Sequence, residues 1–323
     1  MTMATLDDFE IWSKHLYQFT RGVPHDDYMS DTACLSAEDI NSKGAGWLND
    51  KSLLRKRLPS EWLIPEYGRL EGGKIVEYAE ADLDVGTAIF ETDVVLKDVG
   101  ASSGKNIWFL SAGMEERERE HILNQAVTRS HISKIQVCDW AKQHSYAEKI
   151  WPNGSNTLRF LVFSPEGEYP QIAAAVQKWA TLHSGRCDNW NQGGLTTTVI
   201  NGVMGDTMED FTDRSQRGGN GSGRNPTRPL RPTRYVSHPE HGSEIMGVKI
   251  PFWQEAERMV LEASNILREE LPYIGWDVII TEDGPKIIEG NPWPGIQLMQ
   301  VHFPLLANVR FRDFLESHQV KGL

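Results

Sequence analysis

GWDVIITEDGPKIIEGNP, residues 275–292, sets two runs rich in Ile and Val on either side of Glu282-Asp283-Gly284. This is the pattern of a β-hairpin: branched residues fill a pleated face, and an Asp-Gly pair turns the chain. The loop length fixes which side chains share a face. A loop of Asp283 and Gly284 alone would pair Asp277 with Gly290 and send Asp277 and Glu289 to opposite faces, since side chains alternate along a strand. A loop of Glu282, Asp283 and Gly284, with Gly284 left-handed in a bulge, pairs Asp277 with Glu289 and points Asn291 the same way. Glycine at the third loop position favours this second register.

Two carboxylates and a carboxamide on one face of a twisted ribbon are oxygen ligands for a hard cation. Magnesium takes one or two protein carboxylates and completes its shell with water and substrate phosphate, so the pattern implies a bound nucleotide as well as Mg2+. The plain alternative is an edge hairpin with two surface acids. Both acids sit inside apolar strands, where an unpartnered carboxylate is costly, and this weakens that alternative.

Upstream of the hairpin, Pro251 to Glu270 reads as an amphipathic helix with Phe252, Ala256, Met259, Val260, Ala263, Ile266 and Leu267 on its apolar stripe. Asn156 to Phe163 reads as an apolar strand, and Gln171 to Ala180 as strand or helix. Met114 to Ser130 reads as a helix. Ala88 to Val99 reads as a strand that runs into the turn Gly100-Ala101-Ser102-Ser103-Gly104, with another strand at Asn106 to Leu110. The first 45 residues read as one or two helices, with Trp12, His15, Leu16 and Phe19 roughly on one face. The predicted organisation is a helical extension over 1–45, a small lobe over 46–135 and a large lobe over 136–323, in an α+β fold.

The chain has 323 residues, 39% hydrophobic and 24% charged, with a net charge of −12. Such a balance fits a soluble protein and argues against nucleic acid or an anionic membrane as partner. The N-terminus shows no secretory signal, and three widely spaced cysteines fit a reducing cytoplasm better than a disulfide framework. Against this acidic background, Arg214 to Arg234 holds six arginines and no acid. The segment reads either as a disordered loop or as a flap that meets phosphates or an acidic substrate, which arginine forks suit. GASSGKN, Gly100 to Asn106, is one residue short of a Walker A loop and has Asn106 where Ser or Thr should bind magnesium. Trp190, Trp276 and Trp293 lie beside motif residues and are candidate walls of a pocket. His144 reads as a structural hydrogen-bonding residue.

The hairpin resembles the C-terminal metal-binding signature of the ATP-grasp superfamily. Together with NTLRFLV (156–162), DNWNQGG (188–194) and MGVKIPFW (246–253), it resembles the sugar-transfer-associated branch over roughly residues 46–300. The resemblance implies two α/β lobes enclosing ATP, with magnesium bridging its phosphates. It makes Asp277, Glu289 and Asn291 the metal ligands. It places Lys97 and Lys51 near the nucleotide, the turn Gly100, Ser102, Ser103, Gly104 over the phosphates, and Gln136 and Val137 at an inter-lobe hinge against adenine. Arg159 and Lys178 become cations for the γ-phosphate and an acyl phosphate, and Arg214 and Arg217 the candidate arginines of the flap.

The implied activity is ATP-dependent joining of a small-molecule carboxylate to an amine through an acyl phosphate, giving ADP and phosphate. A phosphotransferase acting on a hydroxyl would use the same groups, and an ATP-binding scaffold without turnover is a third reading. Alanine at Asp277 or Glu289 is expected to abolish turnover and leave the fold intact.

Overall fold

The structure, a computed structural model, describes residues 25–41, 44, 48, 51–79, 81–99, 106–209 and 233–323, with the backbone alone at 25 and 51–53. Two antiparallel sheets organise it, and helices pack on them, so the class is α+β. The smaller sheet has the order β2-β1-β5-β3-β4, from β1 (Glu66–Glu71), β2 (Lys74–Glu77), β3 (Val94–Asp98), β4 (Ile107–Leu110) and β5 (Ile135–Asp139). Helices α1 (Val85–Glu91) and α2 (Glu116–Ser130) cover it, and Val85, Ala88, Leu96, Ala126 and Val137 form the core between them.

The expected strand from Ala88 is helix over its first part. Asp84 accepts the Thr87 amide and caps α1, and Glu77 accepts the Val85 amide. These two acids satisfy amides that a helix start leaves open, so an apolar run that reads as β begins as a turn of helix.

The larger sheet has seven strands in the order β10-β9-β8-β7-β6-β11-β12. Its strands are β6 (Leu158–Phe163), β7 (Gln171–Trp179), β8 (Leu195–Ile200), β9 (Val203–Glu209), β10 (Arg234–Tyr235), β11 (Tyr273–Thr281) and β12 (Gly284–Asn291). Gln171 to Trp179 thus resolves as strand. On one face lies α3 (Trp253–Leu267), which buries Ala256, Met259, Val260, Ala263 and Leu267. Phe252 and Ile266 of the expected stripe stay exposed at 37% and 44%. Phe252 sits left-handed at φ 53° just before the helix, so its side chain leaves the stripe. The other face takes a helix, Asp31–Ala37, and the C-terminal helix Val309–Ser317, through Tyr28, Met29, Ala33, Phe311, Phe314 and Leu315.

Between the sheets, Ile64, Val95, Cys138 and Ile279 make a small apolar seam with Phe109, Trp140 and Ile288 packed against it. Among the described residues no helix is long and apolar enough to cross a membrane.

Candidate active site

The hairpin delivers the pairing the chemistry needs by a route different from the one expected. Thr281 pairs with Gly284, so the loop is Glu282-Asp283 alone. That register would carry Asp277 to Ile288. It shifts between Asp277 and Val278, because Val278 pairs with Ile287 and Asp277 with Glu289. Ile288 is therefore the extra residue of a β-bulge, and it corrects the register by one. Beyond it Trp276 pairs with Gly290 and Gly275 with Asn291. Asp277, Glu289 and Asn291 all line one cleft of about 710 Å³. Trp276, one residue from Asp277, points to the other face, where it is fully buried and its Nε1 donates to Ser264 Oγ at 2.8 Å.

The cleft lies between the two sheets, and the large sheet presents a row of charge along its wall. Arg159 on β6 pairs directly with Asp277 on β11, and β7 places Lys178 diagonally beyond it. Arg159 Nε donates to Asp277 Oδ1 at 2.5 Å and a terminal nitrogen to Oδ2 at 2.9 Å. Its other terminal nitrogen donates to the Pro294 carbonyl at 2.6 Å. Lys178 Nζ lies 3.1 Å from both Asp277 Oδ2 and Asp188 Oδ1. Asp188 Oδ2 accepts from the Thr157 amide and hydroxyl at 2.7 and 2.6 Å.

These four charged residues are all buried, none more than 8% exposed. Burial alone would lower Lys178, but the Asp188 and Asp277 charges outweigh it and hold the ammonium above the ordinary lysine value. Arg159 is likewise held protonated by Asp277 against desolvation. Burial pushes the Asp188 carboxyl up, opposed by Lys178 and reinforced by Asp277. Cys187, also on the wall, has its thiol pushed up to about 11 by burial, which leaves it unreactive at neutral pH.

Lone-pair arithmetic tests whether a cation fits. A carboxylate offers about four acceptor positions. Asp277 uses three on Arg159 and Lys178, which leaves one on Oδ1. Asn291 commits its amide nitrogen to the Gly275 carbonyl at 3.3 Å and keeps its oxygen for a ligand. With Glu289 beside them, the donors are all oxygen. Among the described residues no cluster of three or more His, Cys, Asp and Glu is arranged to hold a metal. A site of two carboxylates and one amide, completed by water and phosphate, is what magnesium takes, so the residues fit that ion rather than zinc.

The small sheet supplies the opposite wall. Lys97 on β3 faces the cleft, as do Val95, Ile107 and Phe109. Gln136 and Val137 do not line it: both lie within the sheet, 3% and 0% exposed. β5 runs on to Asp139 before the chain crosses between the sheets, and Asp139, Trp140 and Ala141 line the cleft instead. Trp140 carries Lys142 Nζ 3.6 Å and Arg186 5.0 Å from its ring centre, and Phe109 packs at 5.0 Å. Desolvation raises the half-buried Asp139 carboxyl.

Trp190 and Trp293 also line the cleft, with Trp293 47% exposed. His144 caps the helix Ser145–Ile150, accepting the Tyr146 amide on Nδ1. Lys51 opens a 3-10 turn, Lys51–Lys56, and its side chain lies outside the described residues. So do Gly100, Ser102, Ser103, Gly104, Arg214 and Arg217.

Asp188, Thr157 and Asp139 were not among the residues singled out in the sequence. Asp188 and Thr157 do fall inside two of the motif blocks, which was the available signal.

The profile of the sugar-transfer associated ATP-grasp family matches residues 41–309. The chain belongs to that family. No curated protein matches it. Among solved structures it is similar to a D-alanine–D-alanine ligase from Bacillus anthracis complexed with ATP, at 11% identity and TM-score 0.38, over 85% of this chain and 68% of that one. D-alanyl-alanine synthetase A from Vibrio cholerae is similar at 11% identity and TM-score 0.39, over 73% and 54%. N5-carboxyaminoimidazole ribonucleotide synthetase from Thermotoga maritima is similar at 12% and 0.39, over 83% and 48%. This ATP-grasp chain spans about half the length of the last two.

Proposed function

We propose that this ATP-grasp protein is a magnesium- and ATP-dependent carboxylate–amine ligase that works through an acyl phosphate. The observation that carries the reading is the shared face of Asp277, Glu289 and Asn291, beside Arg159 and Lys178 and across the cleft from Lys97. Three cations and five carboxylates of the described chain line that cleft. A polyphosphate would be repelled there without further positive charge, so the lining calls for a divalent cation before nucleotide. Asp277, Glu289 and Asn291 would hold magnesium, which would supply positive charge to neutralise the phosphates.

The chain's own groups divide the remaining work. Apolar Val95, Ile107, Ile279 and Ile288 suit a flat base, with Asp139 and Trp140 beside it. Lys97 holds phosphate oxygens, as would Lys51 and the turn Gly100 to Gly104. Arg159 and Lys178 between them keep three N–H groups beyond the hydrogen bonds described. Those donors are placed for charge that develops on a transferring phosphoryl group.

A substrate carboxylate oxygen then bonds to the γ-phosphorus as the bridging bond to ADP breaks. The amine next bonds to the acyl carbon, phosphate leaves with the former carbon–oxygen electron pair, and the amine loses a proton. Arg214 and Arg217 are proposed to shield the acyl phosphate from water. On this reading 46–135 is the lobe that closes over nucleotide and 136–323 the lobe that holds metal, and the partners are cytoplasmic small molecules.

The test is phosphate release over pooled amino acids, peptides and sugar acids, with mass spectrometry of the product. An amide product with ADP and phosphate is expected. Conversion of ATP to AMP and pyrophosphate with a proven substrate, or a persistent phosphorylated hydroxyl in the presence of amines, would refute it.

A further inference from the structure

Asn41 stands outside the cleft and outside both sheets, yet its side chain is fully buried and hydrogen-bonds to the two ends of the β11–β12 ribbon. Its Oδ1 accepts from the Tyr273 amide at 3.3 Å. Its Nδ2 donates to the Tyr273 carbonyl and, at 2.7 Å, to the Pro292 carbonyl. Tyr273 is the first residue of β11, and Pro292 follows Asn291, the last residue of β12. The final pair of the ladder is Gly275 with Asn291. Two further pairs, Ile274 with Pro292 and Tyr273 with Trp293, would have given Tyr273 a peptide group on the next strand. The Asn41 carboxamide supplies one instead, with a donor and an acceptor in the plane of a peptide unit.

We infer that Asn41 is a positioning residue for the cation site: it ends the ribbon at Asn291 and fixes where that ligand's amide oxygen points. The inference rests on the cation reading proposed above. The Asn291 carboxamide nitrogen donates to the Gly275 carbonyl at 3.3 Å, a long contact that leaves room for outside support. Pro292 has no amide hydrogen, so its carbonyl is the backbone handle next to the ligand, and Asn41 holds it. On the far side of that turn Arg159 holds the Pro294 carbonyl. Asn291 is thereby bracketed, and the segment before the two sheets becomes part of the site's machinery.

The experiment uses the full chain and the fluorescent analogue MANT-ATP, titrated with Mg2+ and separately in EDTA. Asn41→Asp keeps the acceptor for Tyr273 but sets a carboxylate against two carbonyl oxygens. Asn41→Ser keeps a small polar group with less strain on packing. Groups that orient a metal ligand are worth roughly tenfold to a hundredfold in metal affinity. Both variants are expected to need at least about tenfold more Mg2+ for half-maximal enhancement of binding, as Asn291→Ala should, with affinity in EDTA unchanged.

A folded variant with parental Mg2+ dependence overturns the inference, as does an equal loss in EDTA, which would mark Asn41 as a packing residue only. Hydrogen exchange on the parental chain needs no variant. Peptides covering Leu35–Asn41 should slow together with Trp276–Trp293 when Mg2+ is added to the MANT-ATP complex, and unchanged exchange in the former counts against coupling. Absence of any Mg2+ effect on parental binding would sink the cation reading itself, and this inference with it.

Discussion

Alanine at Asp277 and alanine at Glu289 should behave differently, although the sequence puts the two acids on the same footing. Asp277 is 4% exposed and is the shared counterion of two buried cations, through three hydrogen bonds of 2.5, 2.9 and 3.1 Å. Removing one partner of a buried ion pair costs about 3–5 kcal/mol, because the other charge is left in a poor solvent. Lys178 would keep Asp188, so most of the penalty falls on Arg159. Against a total stability of about 5–15 kcal/mol this is a large fraction. At roughly 2 °C per kcal/mol for a chain of this size, the melting temperature should fall by about 6–10 °C.

Glu289 is only half-buried, and its removal should cost about 1 kcal/mol or less. Both variants should lose turnover. Thermal unfolding followed by circular dichroism separates them, and the double variant Arg159→Met/Asp277→Leu should recover a substantial part of the loss, since it removes the stranded charge. Equal melting temperatures for the two single variants, or a double variant no more stable than Asp277→Ala, would refute the argument.

Lys97→Ala should weaken MANT-ATP binding by about tenfold, near 1.4 kcal/mol, with little change in melting temperature; parental affinity would remove Lys97 from the nucleotide wall. Trp276→Phe should cost about 1 kcal/mol through the lost bond to Ser264 and leave nucleotide affinity untouched, because its ring lies on the face away from the cleft. A changed affinity there would contradict the face assignment. His238 is buried against Trp151 at 4.4 Å and hydrogen-bonded to the Ala180 carbonyl, and burial lowers its pKa. Its folded value lies below the unfolded one, so its contribution is intact above about pH 6.5 and is lost as pH falls through the folded value. His238→Gln should therefore flatten the fall in melting temperature between about pH 6.5 and pH 5. A slope equal to the parent's would count against it.

What the sequence made legible follows from the range of the forces involved. Period-2 alternation and a turn are local, so β11, β12 and the pairing of Asp277 with Glu289 could be read from one stretch. The loop length could not, because bulge and loop trade against each other by one residue without changing the composition. The helix Val85–Glu91 hid inside a β-like run, since its start depends on Asp84 and Glu77 rather than on its own residues. That Asp139 rather than Gln136 and Val137 reaches the cleft was not legible, because where a strand leaves a sheet is set by its neighbours, here β1 and β3. Asn41 left no signal at all: its partners are backbone atoms 232 and 251 residues away, and backbone atoms have no identity in a sequence.

The bulge at Ile288 shows how little separates a site from a surface. Near the loop, β11 and β12 are in the register that pairs Ile280 with Pro285 and Val278 with Ile287. Continued unbroken, it would set Asp277 opposite Ile288 and turn Glu289 to the face that buries Trp276. A carboxylate there would face an apolar core, and Asn291 would follow it away from the cleft. One inserted residue brings both back beside Asp277. Four neighbouring strands, in the order β7-β6-β11-β12, then carry Lys178, Arg159, Asp277 and Glu289 in a row from positive to negative. On the proposed reading, the positive end would meet phosphoryl oxygens and the negative end a cation, so that each part of a metal-bound phosphate would face its complement.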